Sequence, residues 1–114
     1  DRSVAVSDSM CASGLGDGEY ELGGTTVYVK DGKALLADGT IAASTTNIFA
    51  EFRNIISFGV PVRQAAKSCT INPARAIGVD DVTGSIAVGK RADFTVLSSD
   101  LKELECVYIK GKRI

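Results

Sequence analysis

Residues 25–36 read Thr25-Thr26-Val27-Tyr28-Val29-Lys30-Asp31-Gly32-Lys33-Ala34-Leu35-Leu36. Asp-Gly between two β-prone runs predicts a two-residue hairpin turn, because a type I′ turn needs both central residues at positive φ. With Glu19-Tyr20-Glu21-Leu22 upstream, the stretch predicts a three-stranded antiparallel meander in which Tyr20, Val27 and Val29 are core. The preceding Gly14-Leu15-Gly16-Asp17-Gly18 is dense in turn residues and predicts a loop. Ahead of it, Val4-Ala5-Val6-Ser7 suits a strand buried on both faces, with Asp8 at its C-terminal end.

Downstream the apolar period changes from 2 to 3.6. Ser44-Thr45-Thr46-Asn47 offers N-caps, and Phe49, Phe52 and Ile56 recur on one face up to a stop at Gly59. Pro61 fits the first position of a second helix with a stripe of Val62, Ala65, Ala66 and Cys69. Asn72-Pro73 opens a third helix with Gly78 at the position after its cap. The β signal returns in Ser85-Ile86-Ala87-Val88, in Asp93 to Leu97 with Phe94 as core, and in Cys106-Val107-Tyr108-Ile109. The expectation is one antiparallel β unit over residues 18–43 and 84–114, with helices between 44 and 79.

Composition narrows the function. The chain has 114 residues, 45% hydrophobic and 24% charged, and a formal net charge of −1. There is no basic block to serve a nucleic-acid surface, and no apolar run of the roughly 20 residues that span a bilayer. Histidine is absent, which excludes a Ser-His-Asp triad, a Cys-His pair and any His-based metal site within these residues. Three cysteines, at 11, 69 and 106, lack a C-x-x-C spacing and point to buried thiols in a reducing, cytoplasmic setting, with Cys11 either exposed or buried. The opening Asp1-Arg2-Ser3 reads as a cut or processed end. A lone buried strand followed by a meander, helices and more strands is an odd order for a self-contained domain, and reads as the end of something larger.

Three patterns together carry a family resemblance. They are Val6-Ser7-Asp8-Ser9-Met10 followed by the Gly14 to Gly24 loop; Leu36-Ala37-Asp38-Gly39-Thr40-Ile41-Ala42 with Ser44, Arg53-Asn54 and Asn72-Pro73-Ala74-Arg75-Ala76-Ile77-Gly78; and Gly84-Ser85-Ile86 running through Gly89-Lys90 and Ala92-Asp93-Phe94 to Val96-Leu97. In order and spacing they resemble the N-acetylglucosamine-6-phosphate deacetylases of the amidohydrolase superfamily. The resemblance implies an α+β fragment: the last strand and helices of a (β/α)8 barrel plus most of a small antiparallel β-sandwich domain. Residues 1–17 would be the last barrel strand and catalytic loop, 18–43 the meander of the small domain, 44–83 terminal barrel helices and 84–114 its closing strands.

By the same resemblance Asp8 takes a proton from the attacking water and returns it to the departing amine, although from pattern alone an Asp after an apolar strand starts a turn. Thr46, Asn47 and Ile48 match the loop that contacts the amino-sugar phosphate, largely through backbone groups; plain N-capping is the other reading, and both can hold. A divalent metal, expected to be zinc, would be held by a Glu and two His on strands outside this chain, with none expected here. The implied partners are the amino-sugar phosphate, the missing N-terminal part of the enzyme and a second copy, with no nucleic acid and no membrane. The chain alone is expected to be inactive. Arg53, Arg75 and Asp93 read as structural. Other readings are a dihydroorotase-like or deaminase-like amidohydrolase, which the Gly14 to Gly24 loop argues against, and a non-catalytic β-rich assembly module.

Overall fold

The computed structural model describes residues 2–114. The chain forms β1 (Gly18–Leu22), β2 (Thr25–Lys30), β3 (Lys33–Leu35), β4 (Ile41–Ser44), α1 (Ile48–Ser57), α2 (Val62–Cys69), α3 (Ile71–Ala76), β5 (Phe94–Leu97), β6 (Leu104–Ile109) and β7 (Lys112–Arg113). It divides into two compact units, Val6–Glu51 and the remainder.

The unit Val6–Glu51 is an antiparallel sheet in the order β1-β2-β3-β4. Asp31 (φ 51°) and Gly32 (φ 71°) turn the β2–β3 hairpin with both residues left-handed, as a type I′ turn demands. Gly23 (φ 58°) and Gly24 (φ 83°) do the same between the paired Leu22 and Thr25. Strand alternation puts Val27, Val29 and Ala34 on one face, where Met10 and Ala12 complete a buried cluster flanked by Tyr20, Leu36, Ala42 and Ala43. Val27 is wholly buried while its neighbour Tyr28 is 41% exposed. The meander therefore gains a fourth strand, and a segment from upstream covers its apolar face.

In the other unit α2 and α3 are divided at Thr70 (φ −130°, ψ −87°). Pro61 is the N-cap of α2 (φ −56°, ψ 138°) and not its first helical residue. Its own rigid ring tolerates either place, but the extended ψ puts the helix start at Val62. Gly78 (φ 71°) follows the α3 cap Ile77, as expected. Buried Ala65 and Ala74 lie beside two buried polar residues, Ser68 and Asn72. The Ser68 hydroxyl donates to Ala65 O at 2.7 Å, and Asn72 Nδ2 donates to Ser3 O at 2.8 Å.

Two expected strands do not form. Residues 4–7 have no ladder; Ala5 N–H donates to Ser68 O at 2.9 Å instead. Residues 85–88 are likewise outside any strand, with Ile86 and Val88 almost fully exposed. A strand needs a run of N–H and C=O groups from a partner strand, and no described strand pairs with either stretch. The strands that do form beyond residue 84 make a second sheet of their own, β5-β6-β7, rather than extending the first. Phe94, expected in the core, is exposed, and its ring stacks on its cross-strand partner Tyr108 at 4.5 Å between centroids.

Gly84 (φ 85°) holds the turn after α3 against the helix: a β-carbon there would stand 2.7 Å from Ala74 Cβ, 3.1 Å from Ile71 Cα and 3.2 Å from Thr70 O. Gly89 (φ 88°) has equal need of positive φ but open space around it. Strain and overpacking together should make Gly84→Ala cost at least about 2 kcal/mol, against roughly 1 kcal/mol for Gly89→Ala. Urea melts of the two variants measure the difference, and equal midpoints would contradict the packing.

Candidate functional site

The leading segment of the unit Val6–Glu51 meets the end of β4 through backbone groups. Ser44 N–H donates to Asp8 O at 2.9 Å and Met10 N–H donates to Ser44 O at 3.0 Å, which makes Ser9 and Ser44 a parallel bridge. Two stretches 36 residues apart are thereby fixed side by side: the one that carries Asp8, and the one that leads into Thr46, Asn47 and Ile48.

Asp8 is exposed and sits at φ 50°. A non-glycine residue in that region is strained, and Asp is among the few that tolerate it. Its carboxylate takes no hydrogen bond or ion pair from the described residues. It is a carboxylate without a side-chain partner among the described residues, at a backbone position that needs special support.

Support comes from hydroxyls. Ser9 Oγ and Ser13 Oγ both donate to Thr46 O, the latter at 3.0 Å, and Ser13 also lies 3.0 Å from Thr45 O. Thr46 N–H donates to Ser44 Oγ at 2.9 Å, and Thr46 Oγ1 donates to Glu51 Oε1 at 2.6 Å. Every polar atom of Thr46 is thus engaged within this unit. Asn47 is the α1 N-cap: its Oδ1 accepts from Ala50 N–H at 3.0 Å, and its backbone oxygen receives the first helical bond, from Glu51 N–H, at 3.1 Å. Ile48 is the first helical residue and is 42% exposed. With the Ala50 and Glu51 N–H groups taken by Asn47, what this end of α1 offers a ligand is the N–H groups ahead of them, the exposed Asn47 amide nitrogen and the positive end of the helix dipole.

The Asp31-Gly32 tip belongs to the same construction. Asp17 carboxylate oxygens accept Asp31 N–H at 3.0 Å and Gly32 N–H at 3.5 Å, and Thr45 Oγ1 donates to Gly32 O at 2.5 Å. The Gly-rich loop and the loop before α1 are both pinned to one hairpin. Sequence reasoning selected Asp8 and residues 46–48 but missed Ser9, Ser13, Ser44 and Glu51. The Thr46 to Glu51 spacing across an N-cap was the available signal.

The residues set aside behave as structure. Arg75 pairs with Asp80 at 3.7 Å, both well solvated. Asp93 accepts Lys110 N–H at 2.7 Å and pairs with Arg91, closing the β6–β7 turn. Cys11 is exposed, its thiol 3.3 Å from Glu21 O, so the buried alternative does not hold. A groove of about 240 Å³ in the other unit is lined by residues 3–5, Ile55, Val60, Gln64, Ser68 and Asn72. None of the selected site residues lines it. Among the described residues no three His, Cys, Asp or Glu are grouped to hold a metal ion, and no helix is long and apolar enough to cross a membrane.

The profile of the amidohydrolase family matches residues 26–114. The N-acetylgalactosamine-6-phosphate deacetylase of Escherichia coli O157:H7 is 37% identical over 98% of this chain, and the N-acetylglucosamine-6-phosphate deacetylase of Bacillus subtilis is 40% identical over 87%. The crystal structure of N-acetylglucosamine-6-phosphate deacetylase from Pasteurella multocida superposes with a TM-score of 0.91 at 31% identity over 97% of this chain. The chain spans 30%, 25% and 29% of those three proteins.

The Lys110 N–H, and after it the Arg91 guanidinium, hold the Asp93 carboxyl below its ordinary value of 3.8. A carboxylate favoured in the folded state stabilises fully above its unfolded pKa and loses that contribution as pH falls through the lower folded value. An NMR titration of the Lys110 amide should therefore show its transition below pH 3.8, and Asp93→Asn should remove it. A transition at or above that pH would contradict the capping role.

Proposed function

The chain belongs to the amidohydrolase family, and from that premise we propose that it is the C-terminal portion of a cytoplasmic deacetylase of N-acetylated amino-sugar 6-phosphates. One observation carries the reading: the Ser9–Ser44 bridge holds the segment that carries Asp8 against the stretch that leads into α1. A carboxylate base next to a ready anion site suits a substrate with an amide at one end and a phosphate at the other. The names of the relatives, and similarity running through both stretches, support the same substrate class.

In this mechanism water attacks the acetamido carbon and gives up a proton to the Asp8 carboxylate. As the C–N bond breaks, Asp8 returns that proton to nitrogen, so that acetate and the free amine leave. Asp8 stands in a left-handed turn, and the Ser44 N–H holds that turn by its carbonyl. Backbone N–H groups at the head of α1 receive the sugar phosphate. Amidohydrolases are generally metal-dependent; among the described residues no three His, Cys, Asp or Glu gather to hold an ion by themselves, and the ligands of this reading are a Glu and two His outside this chain. All three cysteines are free thiols, which suits a reducing cytoplasm.

The proposed larger enzyme also accounts for apolar surface. Val6 is 74% exposed, Ile86 91% and Val88 107%, and the groove beside residues 3–5 has a mostly apolar wall. Such surface seldom stays wet, and the last strand of a (β/α)8 barrel would be flanked by barrel neighbours at this place. The chain on its own should release no acetate and should associate with itself. Light scattering should report a mass above the 11.9 kDa monomer, and a clean monomer at high concentration would contradict the uncovered faces.

In the full-length enzyme Asp8→Asn should preserve the fold and lower kcat by about 10² to 10⁴, since the amide is near-isosteric but cannot take the proton. Acetate release from N-acetylglucosamine 6-phosphate and from its galactosamine epimer measures this. A variant within a few-fold of the parent would return Asp8 to the role of a turn residue.

A further inference from the structure

We propose that Glu51 is a positioning residue, which acts through Thr46 and Ser44 to hold the loop at the head of α1 in register with Asp8. The inference rests on the reading of that loop as the sugar-phosphate site, and assigns its support to a carboxylate that does not touch substrate.

Proton bookkeeping fixes the direction of the chain. An ionised carboxylate only accepts, so the Thr46 hydroxyl spends its one proton on Glu51 Oε1 at 2.6 Å. Thr46 Oγ1 and Ser44 Oγ are 2.8 Å apart, and with the Thr46 proton committed, Ser44 must be the donor. Ser44 Oγ in turn accepts the Thr46 N–H at 2.9 Å. Ser44 N–H then reaches Asp8 O at 2.9 Å. The side-chain bonds thus run from Glu51 through the Thr46 and Ser44 hydroxyls back to the Thr46 N–H, and the backbone of the same Ser44 holds Asp8; all of these groups lie in the unit Val6–Glu51.

Glu51 is not needed to cap the helix. Asn47 Oδ1 already satisfies Ala50 N–H, and the Asn47 carbonyl already receives Glu51 N–H. In an ordinary capping box an acidic side chain returns to the N-cap backbone, and an apolar pair staples the residue before the cap to the fourth helical residue. Here those two places are Thr46 and Glu51, and a charge-assisted hydrogen bond replaces the apolar contact. The carboxylate is spent on a hydroxyl whose other contacts all lead into the loop and toward Asp8.

The test uses the full-length enzyme, with N-acetylglucosamine 6-phosphate and its galactosamine epimer as substrates. Thr46→Val and Glu51→Ala should each lower kcat/KM about tenfold, more through a rise in KM than through kcat, as expected for loss of one charge-assisted hydrogen bond. Thr46→Ser, which keeps the hydroxyl, should recover most of the loss. Glu51→Gln, a neutral acceptor of the same shape, should raise KM less than Glu51→Ala does. Should Thr46→Val fail to fold, the Glu51→Ala and Glu51→Gln pair decides alone. Variants with parental KM and kcat, whatever their melting temperature, would overturn the positioning role while leaving the deacetylase reading intact. A parent that hydrolyses neither sugar phosphate would overturn both.

Discussion

Ser44 gives its N–H to the carbonyl of Asp8 and its carbonyl to the N–H of Met10, while its other edge pairs with Lys33 across β3. One residue at the end of an antiparallel sheet therefore has ladder partners on both sides, one antiparallel and one parallel. The parallel side is only a single bridge, yet it brings the site together. Met10 and Ala12, buried in the cluster with Val27, Val29 and Ala34, keep it closed: pulling residues 8–10 away from β4 would expose that apolar surface to water. Burial at about 25 cal/mol per Å² thus secures the place of a carboxylate that itself makes no stabilising contact.

Around that bridge the chain spends side-chain hydroxyls where a buried core would spend methyl groups. Ser9, Ser13, Ser44, Thr45 and Thr46 bond to one another's backbone or to the Asp31-Gly32 tip. Such bonds are directional and short-ranged, so they fix the angle of a loop more tightly than packing does. The cost is that Thr46 and the Asn47 side-chain oxygen are occupied, as are the Ala50 and Glu51 N–H groups, which leaves the Asn47 amide nitrogen and the N–H groups ahead of Ala50 as donors facing this end of the loop. The N-cap is the observed arrangement of this loop, and the proposed substrate contact is compatible with it because the cap orients the N–H groups.

The hairpin was legible because its determinant is local. Asp31 and Gly32 dictate a turn whatever surrounds them, and the alternation of Val27, Tyr28 and Val29 follows from the pleat. Residues 4–7 and 85–88 carry an equally apolar pattern, but a strand also needs a partner, and none of the described residues pairs with them. Pattern cannot report a missing neighbour. At the site, the company of Ser7, Ser9 and Met10 singled Asp8 out by resemblance, whereas pattern alone left it a turn residue, and a turn is what its φ of 50° shows. Ser44 was read as one N-cap candidate among four, and Glu51 was not singled out at all. Their roles depend on a contact across 36 residues that no local period encodes.

The most direct test of this arrangement is a crystal structure of the full-length Asp8→Asn enzyme soaked with N-acetylglucosamine 6-phosphate. The expected result has the acetamido group against residue 8 and the phosphate within hydrogen-bonding distance of the backbone N–H groups that begin α1, with the Ser9–Ser44 bridge intact. A sugar phosphate bound with neither contact, or a loop at residues 44–47 detached from Asp8 in the complex, would contradict it.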